Sequence, residues 1–175
     1  LPEHPAVLHV EAPLHRVSTA RLRDAACTWR PRLAALPTPR IAVMLGGHVG
    51  RWSFDEAAAS ALAEQANTMA EAAGGSLLVS TSARTPADVV ERIALTLRVP
   101  HQLYRWRRDD PDNPYLGFLA LADRIIVTSD SMSMLVEAVA TGKPVFIFDL
   151  AATDKGTPWR LPSGRALIWW LGRVF

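Results

Sequence analysis

The apolar run Ile-Ile-Val-Thr (125–128) stops at Ser129-Asp130-Ser131-Met132-Ser133, and Glu137 follows six positions after Ser131. Small hydroxyl and carboxyl side chains after a buried strand, at the start of a helix, suit the binding of an anion. The helix N-terminus supplies free N–H groups and partial positive charge, and Ser131 and Ser133 add hydroxyls. Glu137 would lie roughly 9 Å further along the helix axis, a spacing at which its carboxylate can accept two hydrogen bonds from a ribose diol. Two other polar clusters follow apolar runs in the same way. Gly46-Gly47-His48-Val49-Gly50 follows Ile-Ala-Val-Met-Leu, and Thr81-Ser82-Ala83-Arg84-Thr85 follows Ser-Leu-Leu-Val. Paired glycines let a phosphate approach backbone N–H groups that a Cβ would shield, and Arg84 offers a forked cationic contact. Together the three clusters read as a nucleotide cradle built from Gly46, Gly47, His48, Ser82, Arg84, Ser129, Asp130, Ser131, Met132, Ser133 and Glu137.

Plainer roles exist for every one of these residues. Ser129, Asp130 and Ser131 are ordinary N-caps, Gly46-Gly47 an ordinary tight turn, and Glu137 an ordinary surface residue, while Arg84 can bond to its own loop. His48 titrates near neutrality, but a loop histidine without a visible partner is more often a ligand contact than a catalyst, and Asp130 as a general base is no stronger. No catalytic residue is assigned. Tyr115 is expected to pack in the core or between helices.

These clusters need a scaffold, and the pattern from residue 41 onward supplies one. Strands are expected at 41–45, 76–81, 102–106, 124–128 and 144–149, the third being a weaker one; strands apolar on both faces and separated by helices are the mark of a parallel sheet covered on both sides. Helices alternate with them. Ser53 and Glu56 form a capping box for a long Ala-rich helix to about Ala73, stopped by Gly74-Gly75. Thr85-Pro86 and Asn113-Pro114 open two more, and a fourth runs from about 132 to 141. The fold class is therefore α/β, a doubly wound parallel sheet (Rossmann-like), over residues 41–150. Residues 1–40 read as a lead-in strand or linker and a packing helix that Pro31 kinks or divides. Residues 151–175 read as a loop and a short apolar segment expected to dock elsewhere, for instance on an N-terminal domain absent from this chain.

Composition narrows the function classes. The 175 residues carry a net charge of +2, and Lys143 and Lys155 are the only lysines among 19 basic residues. An Arg- and Ala-rich chain fits a GC-rich bacterial genome. No sustained basic stripe marks a nucleic-acid surface. Cys27 is the single cysteine, which excludes an intrachain disulfide and a cysteine metal cluster. No metal is expected, because no carboxylate pair is spaced for one. No apolar run reaches the ~20 residues of a membrane span. The expected setting is cytoplasmic, with peripheral membrane attachment as its variant. The spacing of Gly46, Gly47 and Gly50 is not G-x-G-x-x-G, which argues against a dinucleotide-dependent epimerase or reductase.

The run NPYLGFLALADRIIVTSDSMSMLVEAVATGKPVFIFDL, with STSARTP, IAVMLGG and APLHRVS, closely resembles the mitochondrial-fission Elm-type family of proteobacteria and plants. That family resembles the nucleotide-binding, C-terminal half of GT-B glycosyltransferases. The transferase that adds N-acetylglucosamine to the lipid-linked peptidoglycan precursor has the same layout of a glycine pair and a serine-rich turn leading to a helix glutamate. The resemblance implies Gly46, Gly47 and His48 by a diphosphate, Ser131, Met132 and Ser133 at the helix N-terminus, and Glu137 on the ribose. The family's usual Gly-Gly-Pro-Ser-Lys is Gly-Gly-His-Val-Gly-Arg here, so Arg51 is the residue placed to substitute for the lysine. The implied function is an NDP-sugar-binding domain, with a UDP-sugar as one candidate donor, in a glycosyltransferase whose acceptor is held against an N-terminal domain. The alternative is a non-enzymatic protein that recruits partners on the same scaffold, as the plant members imply by helping to bring a dynamin-like protein to mitochondria.

Overall fold

The computed structural model describes residues 13–47 and 54–150. His48, Arg51, the Ser53 cap and the segment after Leu150 fall outside the described residues. Five parallel strands, β1 (Arg40–Met44), β2 (Ser76–Ser80), β3 (His101–Tyr104), β4 (Arg124–Thr128) and β5 (Val145–Phe148), form one sheet in the order β3-β2-β1-β4-β5. Ile41 pairs with Leu77 on one side and with Arg124 on the other. The helices are α1 (Thr19–Trp29), α2 (Glu56–Ala73), α3 (Ala87–Thr96), α4 (Tyr115–Leu121) and α5 (Met132–Val139).

The chain winds outward from β1 to β3, then returns to the other side of β1 for β4 and β5. Right-handed crossovers in opposite directions put their helices on opposite faces of the sheet. Alternation along the strands shows the result: Ile41, Val43, Leu77 and Val79 are buried among residues of α2 and α3, while Ala42, Met44, Leu78 and Ile125 are buried among residues of α1, α4 and α5. Strands covered on both faces have no polar side, which is why they read as unbroken apolar runs. Ala58, Ala59, Ala63, Ala66 and Ala70 give α2 a buried face of small side chains. Gly74 closes that helix in the left-handed conformation at φ 61°, where a Cβ is disfavoured.

Three local expectations are corrected. Asp55, not Ser53, caps α2, its Oδ1 accepting from Ala58 N at 2.8 Å. Glu56 accepts from Arg92 of α3 at 2.9 Å instead of turning back on the cap. Thr85 does not cap α3, because its hydroxyl is turned toward the tip of β1. Strand β3 ends at Tyr104, since Trp106 N donates to the Thr81 side chain at 2.7 Å in place of a ladder bond. Pro31 acts as expected: α1 stops at Trp29, whose ring meets Phe118 of α4 edge-on at 6.3 Å. No helix among the described residues is long and apolar enough to cross a membrane.

Candidate functional site

Strand order decides which tips meet. The winding reverses between β1 and β4, so the loops leaving these two neighbours run toward opposite faces of the sheet, at the kind of carboxyl-edge position where ligands of such folds collect. Gly46 and Gly47 leave β1 on one side of this point, and Ser129 to Ser133 leave β4 on the other. Ser82 to Thr85 arrive from β2.

The three tips are hydrogen-bonded into one unit. Gly46 N donates to Thr128 Oγ1 at 2.8 Å, and Gly47 N to Asp130 Oδ2 at 2.6 Å. From the other side, Ser82 Oγ and Thr85 Oγ1 donate to Gly46 O at 3.0 and 2.5 Å. Thr85 Oγ1 also accepts from Ser82 N at 2.8 Å. A Cβ on Gly46 would lie 2.1 Å from an Asp130 carboxylate oxygen, and one on Gly47 would lie 2.0 Å from Arg84 O. Both glycines are thus required by the approach of β2 and β4, and their N–H groups are already spent on Thr128 and Asp130. The expected use of these two amides as open phosphate donors is corrected accordingly. Close approach is the reason for the pair.

The Asp130 side chain is fully buried. Its Oδ1 has no hydrogen-bond partner, and Arg84 Nη2 stands 3.9 Å from Oδ2 with the Arg84 side chain half exposed. The guanidinium therefore offsets a buried negative charge while keeping a solvent-facing side. Ser129 bridges to the tip of β5, donating to Asp149 Oδ1 at 3.3 Å and accepting from Leu150 N at 3.1 Å. Ser131 occupies the N-cap position of α5 but makes no side-chain cap bond, so the first-turn N–H groups of α5 are not capped from within. Met132 and Ser133, the next two residues, are exposed.

Glu137 sits in the second turn of α5, one turn beyond Ser133. Its Oε2 accepts from the hydroxyl of Tyr115, the first residue of α4, at 2.6 Å. Burial first, and the glutamate beside it second, push the Tyr115 phenol far above its ordinary pKa, so it stays a donor. Tyr115 packs with the cluster under α4 and α5, as expected, but its hydroxyl does more than pack. A buried tyrosine in place of phenylalanine is the signal that a polar partner is near. Thr85 and Thr128 are not among the expected site residues either. Each resembles a cap or a strand-end residue, and only the strand order brings its hydroxyl to Gly46.

A separate cleft of about 490 Å³ lies along the edge strand β3, lined by Trp29, Tyr104, Arg105, Arg107, Asp112 and Pro114 among others. Its charged walls are paired among themselves and their neighbours: Arg105 with Glu91, Arg107 with Asp110, and Asp112 with Arg32. None of the strand-tip residues lines it. Among the described residues, no three His, Cys, Asp or Glu side chains gather as a metal site.

Comparison with known proteins fits this geometry to a family. The chain is 37% identical over 135 residues to the mitochondrial fission protein ELM1 of Arabidopsis thaliana, covering 77% of this chain and 31% of that protein. It is 37% identical over 108 residues to the uncharacterized protein RP120 of Rickettsia prowazekii (strain Madrid E), covering 61% of this chain and 30% of that one. The chain thus spans about a third of the length of these curated relatives. Among solved structures, the N-terminal domain of Candida albicans trehalose-6-phosphate phosphatase overlaps 75% of this chain and 32% of that chain, at 14% identity and a TM-score of 0.44. An overlap this low adds nothing to the topology already described. The profile of the family Mitochondrial fission ELM1 matches residues 1–165, and the chain belongs to that family.

Proposed function

We propose that this chain is the donor-binding part of a GT-B-like glycosyltransferase and takes a nucleoside diphosphate sugar at the strand-tip site between β1 and β4. One observation carries the reading: the polar tips of β1, β2 and β4 converge where the strand order reverses. The diphosphate lies at the uncapped start of α5, with Ser131, Met132 and Ser133 around it and Arg84 beside it. Glu137 takes the ribose, and the family resemblance assigns His48 and Arg51, which lie outside the described residues, to the diphosphate as well. Departure of the nucleoside diphosphate is favoured by fixed dipoles and the Arg84 cation. The acceptor is held by an N-terminal domain of the same protein.

A second reading, a partner-recruiting protein that has kept the fold and lost the donor, is favoured by a specific feature. The glycine N–H groups already have acceptors, and the Asp130 carboxylate places negative charge beside the site. A plant relative is named as a mitochondrial fission protein, and a recruiting role without transfer is the alternative for this chain.

Thermal-shift titration of the folded protein with UDP, GDP, CDP, ADP and their sugar conjugates separates the two. A ligand that binds only the folded state raises its Tm in a dose-dependent manner. The expected outcome is such a rise with one base, lost in Glu137→Ala. Flat titrations throughout, from protein shown to be folded, sink the donor reading and leave the recruiting one.

A further inference from the structure

We propose that Tyr115 is the positioning residue for ribose recognition: it holds Glu137 Oε2 so that the carboxylate meets a 2′,3′-diol through Oε1. This rests on the donor reading above and deepens it. Glu137 is a long side chain with several rotamers, and a carboxylate free to turn loses entropy on binding a diol. Tyr115 removes that freedom beforehand. Its ring is partly buried against the core cluster on that face of the sheet, and its hydroxyl donates at 2.6 Å from α4 to the α5 side chain. Among the described residues the Glu137 side chain makes no other hydrogen bond or ion pair, which leaves Oε1 unclaimed. Both helices start at the carboxyl edge of the sheet, so the Tyr115–Glu137 pair joins the loop after β3 to the loop after β4. A phenylalanine would fill the same packing volume, so the hydroxyl is the informative part of the residue.

The test compares affinities of the intact protein for UDP, GDP, CDP and ADP with those for their 2′,3′-dideoxy counterparts, by calorimetry, in wild type and Tyr115→Phe. Wild type should favour the ribonucleotide by roughly tenfold or more, the scale of hydrogen bonds to a charged acceptor. Tyr115→Phe should bring that ratio close to one while leaving dideoxynucleotide affinity unchanged. Glu137→Gln should do the same, and the double variant should lose no more than either single one.

A fall of both affinities together in Tyr115→Phe would mean a packing role only, and an unchanged ratio would mean that Glu137 needs no support; either overturns the inference while the donor reading stands. Absence of binding by wild type to any of these nucleotides overturns both. Should Tyr115→Phe fail to fold, wild type labelled with 3-fluorotyrosine tests the same contact by fluorine NMR. The Tyr115 resonance, assigned through Tyr104→Phe, should move with the ribonucleotide and not with the dideoxynucleotide. A resonance indifferent to both refutes the proposal.

Discussion

Both tyrosines of the chain are tied to carboxylates, Tyr115 to Glu137 at 2.6 Å and Tyr104 to Asp110 at 3.0 Å. Burial first and the carboxylate second raise both phenols above their ordinary value of 10.0. In the folded state they keep protons that the unfolded chain releases from about pH 10 upward. The unfolded state therefore binds fewer protons in that range, and stability falls as pH rises through it. Lys143 runs the other way. Burial lowers its pKa, so between that lowered value and its ordinary 10.5 the unfolded chain holds more protons and stability rises. Comparing wild type with Tyr115→Phe isolates the tyrosine. Urea midpoints measured between about pH 9 and 11 should drop less in the variant; equal drops would show that Tyr115 titrates as an exposed phenol. Legibility at this scale follows the same division between local and distant contacts. Ser82, Arg84, Asp130 and Glu137 stand out because their types are unusual at strand tips and on a short apolar helix. Tyr115 is hidden in its own helix sequence, since its partner is 22 residues away on another element.

Between elements, the strongest local commitment is the junction of β1, β2 and β4. Thr128 is buried at 1% exposure, and its hydroxyl is the acceptor for Gly46 N. Thr128→Val keeps the shape and the β propensity but leaves a buried N–H unpaired, which costs about 1–3 kcal/mol. The expected result is a lower urea midpoint with an unchanged slope; a change within error would mean that Gly46 N finds another acceptor. Individual elements are plain in the sequence because each carries its own signal: apolar runs for the strands, Gly74 for the end of α2, Pro31 for the end of α1. The cap of α2 is ambiguous there, because Ser53 and Asp55 are both good N-caps and Glu56 fits a capping box. Only the position of Arg92 across the groove between α2 and α3 shows where Glu56 turns. The same limit explains Thr85, which looks like a helix cap until β1 is placed beside β2.

At the scale of the whole chain, strand order is the property that local patterns do not contain. Five alternating units are compatible with several orders, and the β3-β2-β1-β4-β5 arrangement places β1 and β4 side by side, with their polar tips joined at the point where the winding reverses. It also sets how the molecule should open. β1 is paired on both sides and buried along Ile41–Met44, and β4 is paired on both sides too. Among the described residues β5 is an edge strand, with Ile147 43% exposed, and α5 buries only Ala138 fully. Free energies of local opening follow burial and pairing, from near zero at frayed edges to the global value in the core. Native-state hydrogen exchange should therefore find the amides of Ala42, Val43 and Ile126 exchanging only through global unfolding, with α5 and β5 opening first at a lower free energy. That ranking bears on function, because α5 carries both Glu137 and the uncapped N–H groups. A donor seated there should raise protection selectively in α5 and at the tip of β4, while β1 already sits at the global limit. If α5 is instead as protected as β1 without any ligand, the strand-tip site is a rigid structural junction, and the recruiting reading gains over the donor reading.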